Sequence, residues 1–172
     1  YDYPTVPTAY YSADLINISP TYDGVDYQMG PKTDGQDNSV RGTGQTIDIP
    51  DDKYDELRLL GSATNGNQVA TIRVNYSDAS YDDVGVTERD WCGDPTGEKI
   101  VQTMNHRHQG TSDQVLDTRV FAYYMNVDET KTATTIVLPT NADWHMLALT
   151  GLPDGTPVPT ASPTPSPTPG LW

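Results

Sequence analysis

The sequence predicts an all-β domain, an antiparallel sandwich or barrel, from three observations. Turn-forming residues recur about every ten positions, as at Asp23-Gly24, Asp34-Gly35, Gly42 and Gly44, Pro50-Asp51, Asn65-Gly66, Asp94-Pro95, Gly110 and Pro139, with short β-compatible runs between them. The run Thr71-Ile72-Arg73-Val74-Asn75-Tyr76 alternates, placing Ile72, Val74 and Tyr76 on one face and Thr71, Arg73 and Asn75 on the other. Eleven tyrosines against one phenylalanine, among many Thr, Asn, Asp and Gly, is a composition that suits half-buried strands better than helices.

Taken along the chain, strands are expected at Tyr10 to Leu15, Val25 to Met29, Gln45 to Ile49, Glu56 to Leu60, Thr71 to Tyr76, Asp82 to Thr87, Lys99 to His106, Arg119 to Asn126, Thr134 to Leu138 and Trp144 to Leu149. Short segments in that number fit two packed sheets. Asp51 to Leu60 carries a helix-like start, with two aspartates in a first turn and Leu57 and Leu60 three apart, so a helical turn is expected ahead of that strand. Pro4 and Pro7 make residues 1–9 an extended arm, the sandwich occupies 10–152, and 153–172 is a tail.

That tail, Thr156-Pro157-Val158-Pro159-Thr160-Ala161-Ser162-Pro163-Thr164-Pro165-Ser166-Pro167-Thr168-Pro169-Gly170, lacks the apolar area to build a core. Proline fixes φ and removes donors, so an extended polyproline II spacer of roughly 3.1 Å per residue is expected. Such spacers belong to secreted, modular proteins, and Thr156, Thr160, Ser162, Thr164, Ser166 and Thr168 are candidate O-glycosylation sites. The chain opens at Tyr1 and holds no run of about 18 apolar residues, which reads as a processed chain without a membrane span.

Ten Lys plus Arg against 24 Asp plus Glu give a formal charge of −14, which disfavours nucleic acid and anionic membranes as partners and leaves neutral ligands, cations or basic partners. Cys92 is the single cysteine, so no internal disulfide staples the fold. For catalysis, carboxylates abound at Asp51-Asp52, Asp55-Glu56 and Asp82-Asp83, but neighbours on a strand point to opposite faces and cannot jointly flank one bond. The chain therefore reads as non-catalytic, with no required cofactor.

Two groups have metal-ligand chemistry. Asp23, Asp26, Asp34 and Asp37 offer hard oxygen ligands on loops, as a structural calcium site needs, although without EF-hand order. His106 and His108 share a strand face at a spacing that holds transition metals, but two ligands make no site, and the adjacent Arg107 raises the cost of a cation. Polar surface histidines are the expectation there.

An ordered series of motifs resembles a known family. It runs from Leu59-Leu60-Gly61-Ser62-Ala63-Thr64-Asn65-Gly66-Asn67-Gln68 through Thr71-Ile72-Arg73-Val74-Asn75-Tyr76-Ser77-Asp78, Asp90-Trp91, Asp117-Thr118-Arg119 and Lys131-Thr132 to Ile136-Val137-Leu138-Pro139 and Leu147-Ala148-Leu149. Over roughly residues 10–150 the chain is similar to the β-sandwich accessory modules appended to secreted bacterial glycoside hydrolases and related extracellular enzymes. The resemblance implies a jelly-roll, non-catalytic domain that binds or orients carbohydrate. It departs at Asp78 to Asp83, where relatives carry Gly-rich and hydroxyl-rich tracts, and at Met104-Asn105-His106, where they place an aromatic before the arginine.

A sugar site needs aromatic platforms beside polar donors and acceptors, which makes Tyr123, Arg107, Asn65, Trp91 and Trp144 the glycan-binding candidates. Tyr123 and Tyr124 point to opposite faces, so one of them should be wet. The expected function is glycan recognition by an accessory module, secreted or at the cell surface. The alternative is a self-assembling fibre or surface-layer subunit, whose Leu171 and Trp172 anchor in a neighbouring copy.

Overall fold

A computed structural model describes residues 9–33, 36–97, 99–110 and 112–153; the tail from residue 154 on, with Leu171, Trp172 and its candidate O-glycosylation sites, lies outside the described residues. Fourteen strands and no helix occur among the described residues. They are β1 (Ala9–Tyr11), β2 (Thr21–Tyr22), β3 (Val25–Asp26), β4 (Val40–Thr43), β5 (Thr46–Asp52), β6 (Tyr54–Ala63), β7 (Gln68–Tyr76), β8 (Tyr81–Glu88), β9 (Ile100–Met104), β10 (Arg107–Gln109), β11 (Ser112–Gln114), β12 (Thr118–Asn126), β13 (Ala133–Val137) and β14 (Thr140–Pro153).

Two antiparallel sheets form the sandwich, in the orders β4-β14-β6-β12-β9 and β5-β13-β7-β8. This is jelly-roll wiring. The β4–β5 and β13–β14 segments travel together from one sheet to the other, so that β14 lies between β4 and β6 while β13 lies between β5 and β7. The expected helical turn at Asp51 is absent. β5 runs to Asp52 and β6 starts at Tyr54, because Leu57 and Leu59 supply a period-2 apolar face that outweighs the weak three-residue spacing.

Between the sheets, Leu57, Leu59, Phe121, Tyr123, Met125, Trp144 and Met146 of the five-stranded layer meet Ile72, Val74, Tyr76, Val86 and Ile136 of the four-stranded layer. Each fully buried large side chain here contributes about 1.5–3 kcal/mol. Ile72, Val74 and Tyr76 are buried together, as their alternation requires.

A second cluster lies on the opposite face of the five-stranded sheet. Leu60, Val120, Ala122, Met104, Leu147, Ala148 and Leu152 are covered there by Val25, Tyr27 and Met29, with Ile16 and Ile18 alongside. The N-terminal segment is thus a lid on the sheet, and β6 and β12 are buried on both faces. A tight β2–β3 hairpin shapes the lid. Asp23 (φ 50°) and Gly24 (φ 72°) both adopt the left-handed conformation that a two-residue primed turn demands.

Arg58 pins this lid. Its side chain is fully buried on the outer face, paired with Glu56 and lying 3.5 Å from an Asp23 carboxylate oxygen, and it donates to the Asp23 carbonyl at 3.2 Å. Tyr124 donates to the same Asp23 carboxylate at 2.7 Å, and its ring lies between Arg58 and Lys99. Burial raises the pKa of the Tyr27 phenol, on the inner side of the lid, to about 12.

The β7–β8 hairpin contains a testable strain. Ala79 is exposed at φ 66°, where a Cβ costs roughly 1–2 kcal/mol and glycine costs far less. Ala79→Gly is expected to stabilise the protein by about 0.5–1 kcal/mol after the loss of unfolded-state restriction. A rise of about 2 °C in melting temperature checks it; an unchanged or lowered midpoint contradicts it.

Candidate functional site

A three-stranded side sheet, β1-β10-β11, stands beside the sandwich and forms one wall of a groove. The groove has a volume of about 610 Å³. Its floor is apolar, from Ile16, Ile18, Met29 and Leu147; its walls carry Tyr10, Tyr11 and His108 on one side and Lys32, Thr33, Gln36, Asp37, Asn38, Ser39 and Arg41 on the other. β1 reaches this position by pairing Tyr10 with His108 and Tyr11 with Arg107.

Tyr11 locks the wall to the sandwich. Its hydroxyl hydrogen-bonds Ser62 Oγ and donates to the Arg119 carbonyl at 2.9 Å, while its ring meets Trp91 edge-on at 5.1 Å and 89°. Arg107 stacks on Trp91 with its guanidinium carbon 5.3 Å from the ring centroid. Trp91 is therefore a half-buried post with Tyr11 and Arg107 as neighbours. The gap enclosed by Ala9, Tyr10, Tyr11, Ser62, Thr64, Trp91 and His145 is about 30 Å³, room for little more than a water molecule.

Asp90 explains why an aspartate precedes that tryptophan. One carboxylate oxygen accepts the Gly66 amide at 2.6 Å and the other accepts the Cys92 amide at 2.8 Å, so Asp90 ties two loops together. The Cys92 thiol lies 3.4 Å from Arg107 Nη1, and burial, the largest influence on it, pushes its pKa up, away from nucleophilic character.

The glycan-binding candidates do not converge. Trp144 is fully buried in the inter-sheet core, and Tyr123 is buried beside it, its hydroxyl accepting the Arg89 amide at 2.8 Å; neither is a platform a sugar can reach. Both sit on central strands, whose inward faces the sandwich must cover. Tyr124 is half-buried, because the N-terminal lid covers part of the outer face. Asn65 is exposed, but its left-handed backbone (φ 57°) makes a corner and its amide donates to Asp143 at 2.9 Å. Arg107 and Trp91 are near the groove wall and engage each other.

The aspartates proposed for calcium do not meet as ligands. Asp23 holds Tyr124 and Arg58, Asp26 accepts the Thr21 hydroxyl at 2.6 Å, Asp37 lines the groove, and Asp34 lies outside the described residues. The groove residues Tyr10, Lys32, Asn38 and Arg41 were missed by sequence reasoning. Their common trait, polar side chains on a turn-rich stretch packed against an apolar floor, becomes visible only when the chain folds back over the sheet.

The fold and its groove define the class: an antiparallel β-sandwich module with a lid-covered second face. The model of the AziU2-like beta-sandwich domain family matches residues 5–154, and the chain belongs to that family. Comparison with curated proteins gives no match.

Proposed function

We propose that this β-sandwich is a non-catalytic module that binds neutral carbohydrate in the groove between β1 and residues 29–33 and 36–41, as an accessory domain of a secreted protein. The observation that carries the reading is the groove itself: an apolar floor under a rim of hydroxyl, amide and guanidinium groups. Sugar rings have the same division, with apolar faces bounded by hydroxyls, and pockets of about 300–1,000 Å³ suit small ligands of this kind. The Pro/Thr/Ser-rich composition of 153–172 supports a spacer, and hence an extracellular, modular setting.

Affinity electrophoresis and a glycan array test this. Retention on at least one neutral polysaccharide is expected, with Tyr10→Ala and Asn38→Ala each weakening it about tenfold, or about 1.4 kcal/mol. Retention by none of them overturns the reading. If the same sample forms concentration-dependent polymers in size exclusion that vanish on deletion of residues 154–172, self-assembly through Leu171 and Trp172 takes its place.

A further inference from the structure

We propose that His106, His108 and Asp113 form a binding site for one divalent transition ion of the zinc class, on the rim of the groove. A ligand atom from each of the three side chains lies within 4.8 Å of the other two. His108 and Asp113 are directly opposite in the β10–β11 pairing, with Nε2 3.5 Å from Oδ1. Tetrahedral zinc with bonds of about 2.0–2.1 Å places neighbouring ligand atoms about 3.3 Å apart, so this pair is already close to the required spacing. The His106 and His108 rings are nearly parallel, 8° apart with centroids at 5.6 Å, and a modest rotamer adjustment closes the third edge.

The surroundings suit an ion. His106 Nδ1 lies 3.0 Å from the Asn105 carboxamide oxygen, an acceptor that keeps the proton on Nδ1 and leaves the lone pair on Nε2. Arg107, the neighbouring cation that argued against a site, extends to the other side of the strand, where it stacks on Trp91 and donates to Gln114 at 2.6 Å. Two imidazoles and one carboxylate favour borderline transition ions over calcium or magnesium, which take oxygen ligands. The formal charge of −14 raises the local cation concentration. Three protein ligands leave a coordination position open, and because His108 also lines the groove, the ion would offer a Lewis-acidic contact to an oxygen-rich occupant.

The chain has three histidines, which makes the test direct. Titration of the full chain with zinc chloride, followed by imidazole nitrogen NMR, is expected to move the His106 and His108 resonances, leave buried His145 in place and saturate at one equivalent. His108→Ala and Asp113→Asn should each weaken binding about tenfold or more, Asn105→Ala about tenfold, and Cys92→Ser not at all. Unmoved His106 and His108 signals in tenfold excess zinc overturn the proposal, as does unchanged affinity in both ligand variants or loss of binding in Cys92→Ser. Zinc binding without carbohydrate binding leaves this site standing and removes only the glycan reading.

Discussion

Arg58→Ala is expected to lower the unfolding free energy by about 3–5 kcal/mol, the range for removing one partner from a buried ion pair. The guanidinium is fully buried between the sheet and its lid, so its loss strands Glu56 and Asp23, whose side chains are only 13% and 27% exposed. Burial opposes the charge on Arg58, but Glu56 more than offsets it, and the pKa stays above the usual arginine value. Truncation also removes an alkyl stem packed under the β2–β3 hairpin. The double substitution Arg58→Met with Glu56→Gln should recover much of the loss, because a neutral pair of similar volume leaves fewer unpaired charges. Urea unfolding measures both. A loss below about 1 kcal/mol for Arg58→Ala would show that the lid is held by its apolar contacts alone.

The second large effect depends on pH. Glu88, at the end of β8, is fully buried; it reaches across the layers to accept the His145 amide at 3.2 Å, and its other oxygen has no hydrogen-bond partner among the described residues. Burial drives its pKa well above the ordinary glutamate value. The folded state therefore retains a proton that the unfolded chain releases near pH 4.5, and stability falls by about 1.4 kcal/mol per unit as pH rises from there to the folded pKa.

His145 acts in the opposite sense. Burial, then Arg41, lower its pKa to about 4, so the stability that its neutral ring supports is present above pH 6.5 and is lost as pH falls from 6.5 towards 4. Wherever both groups titrate the two slopes oppose each other, so the wild-type rise in stability with pH should be shallower than His145 alone would give. Glu88→Gln should remove the falling contribution and leave a steeper rise with pH. Midpoints of urea unfolding from pH 4 to 9 check this; a Glu88→Gln curve no steeper than the wild-type curve would contradict it. Gly61 belongs to the same arrangement, since a Cβ there would collide with the Glu88 carboxylate and stand 2.6 Å from the His145 carbonyl.

Most of the sandwich strands were legible in the sequence because their apolar residues alternate against solvent-facing or turn-bounded neighbours, as in Thr71 to Tyr76. β4 was not: Val40-Arg41-Gly42-Thr43 has one apolar side chain, and its pairing with β14 comes from position in the roll. The lid was invisible for a related reason. Ile16, Ile18, Val25, Tyr27 and Met29 look like weak strand residues until a second face needs covering, which is why one of Tyr123 and Tyr124 was expected to be wet. At the candidate sites, the His106 and His108 spacing was readable, while Asp113 joins them only through cross-strand register. Trp144 and Tyr123 were misplaced because residue type marks an aromatic as a binding platform just as readily as a core filler.

The position of β14 between β4 and β6 has a kinetic consequence. Residues 40–63 supply two strands of the larger layer that never touch each other directly, and the wedge that joins them is translated about a hundred residues later. During synthesis at roughly 5–20 residues per second, that layer stays open for several seconds with its apolar edges unpaired. Closure of this layer therefore waits for β14, in the slow millisecond-to-second regime of topologies dominated by distant pairings.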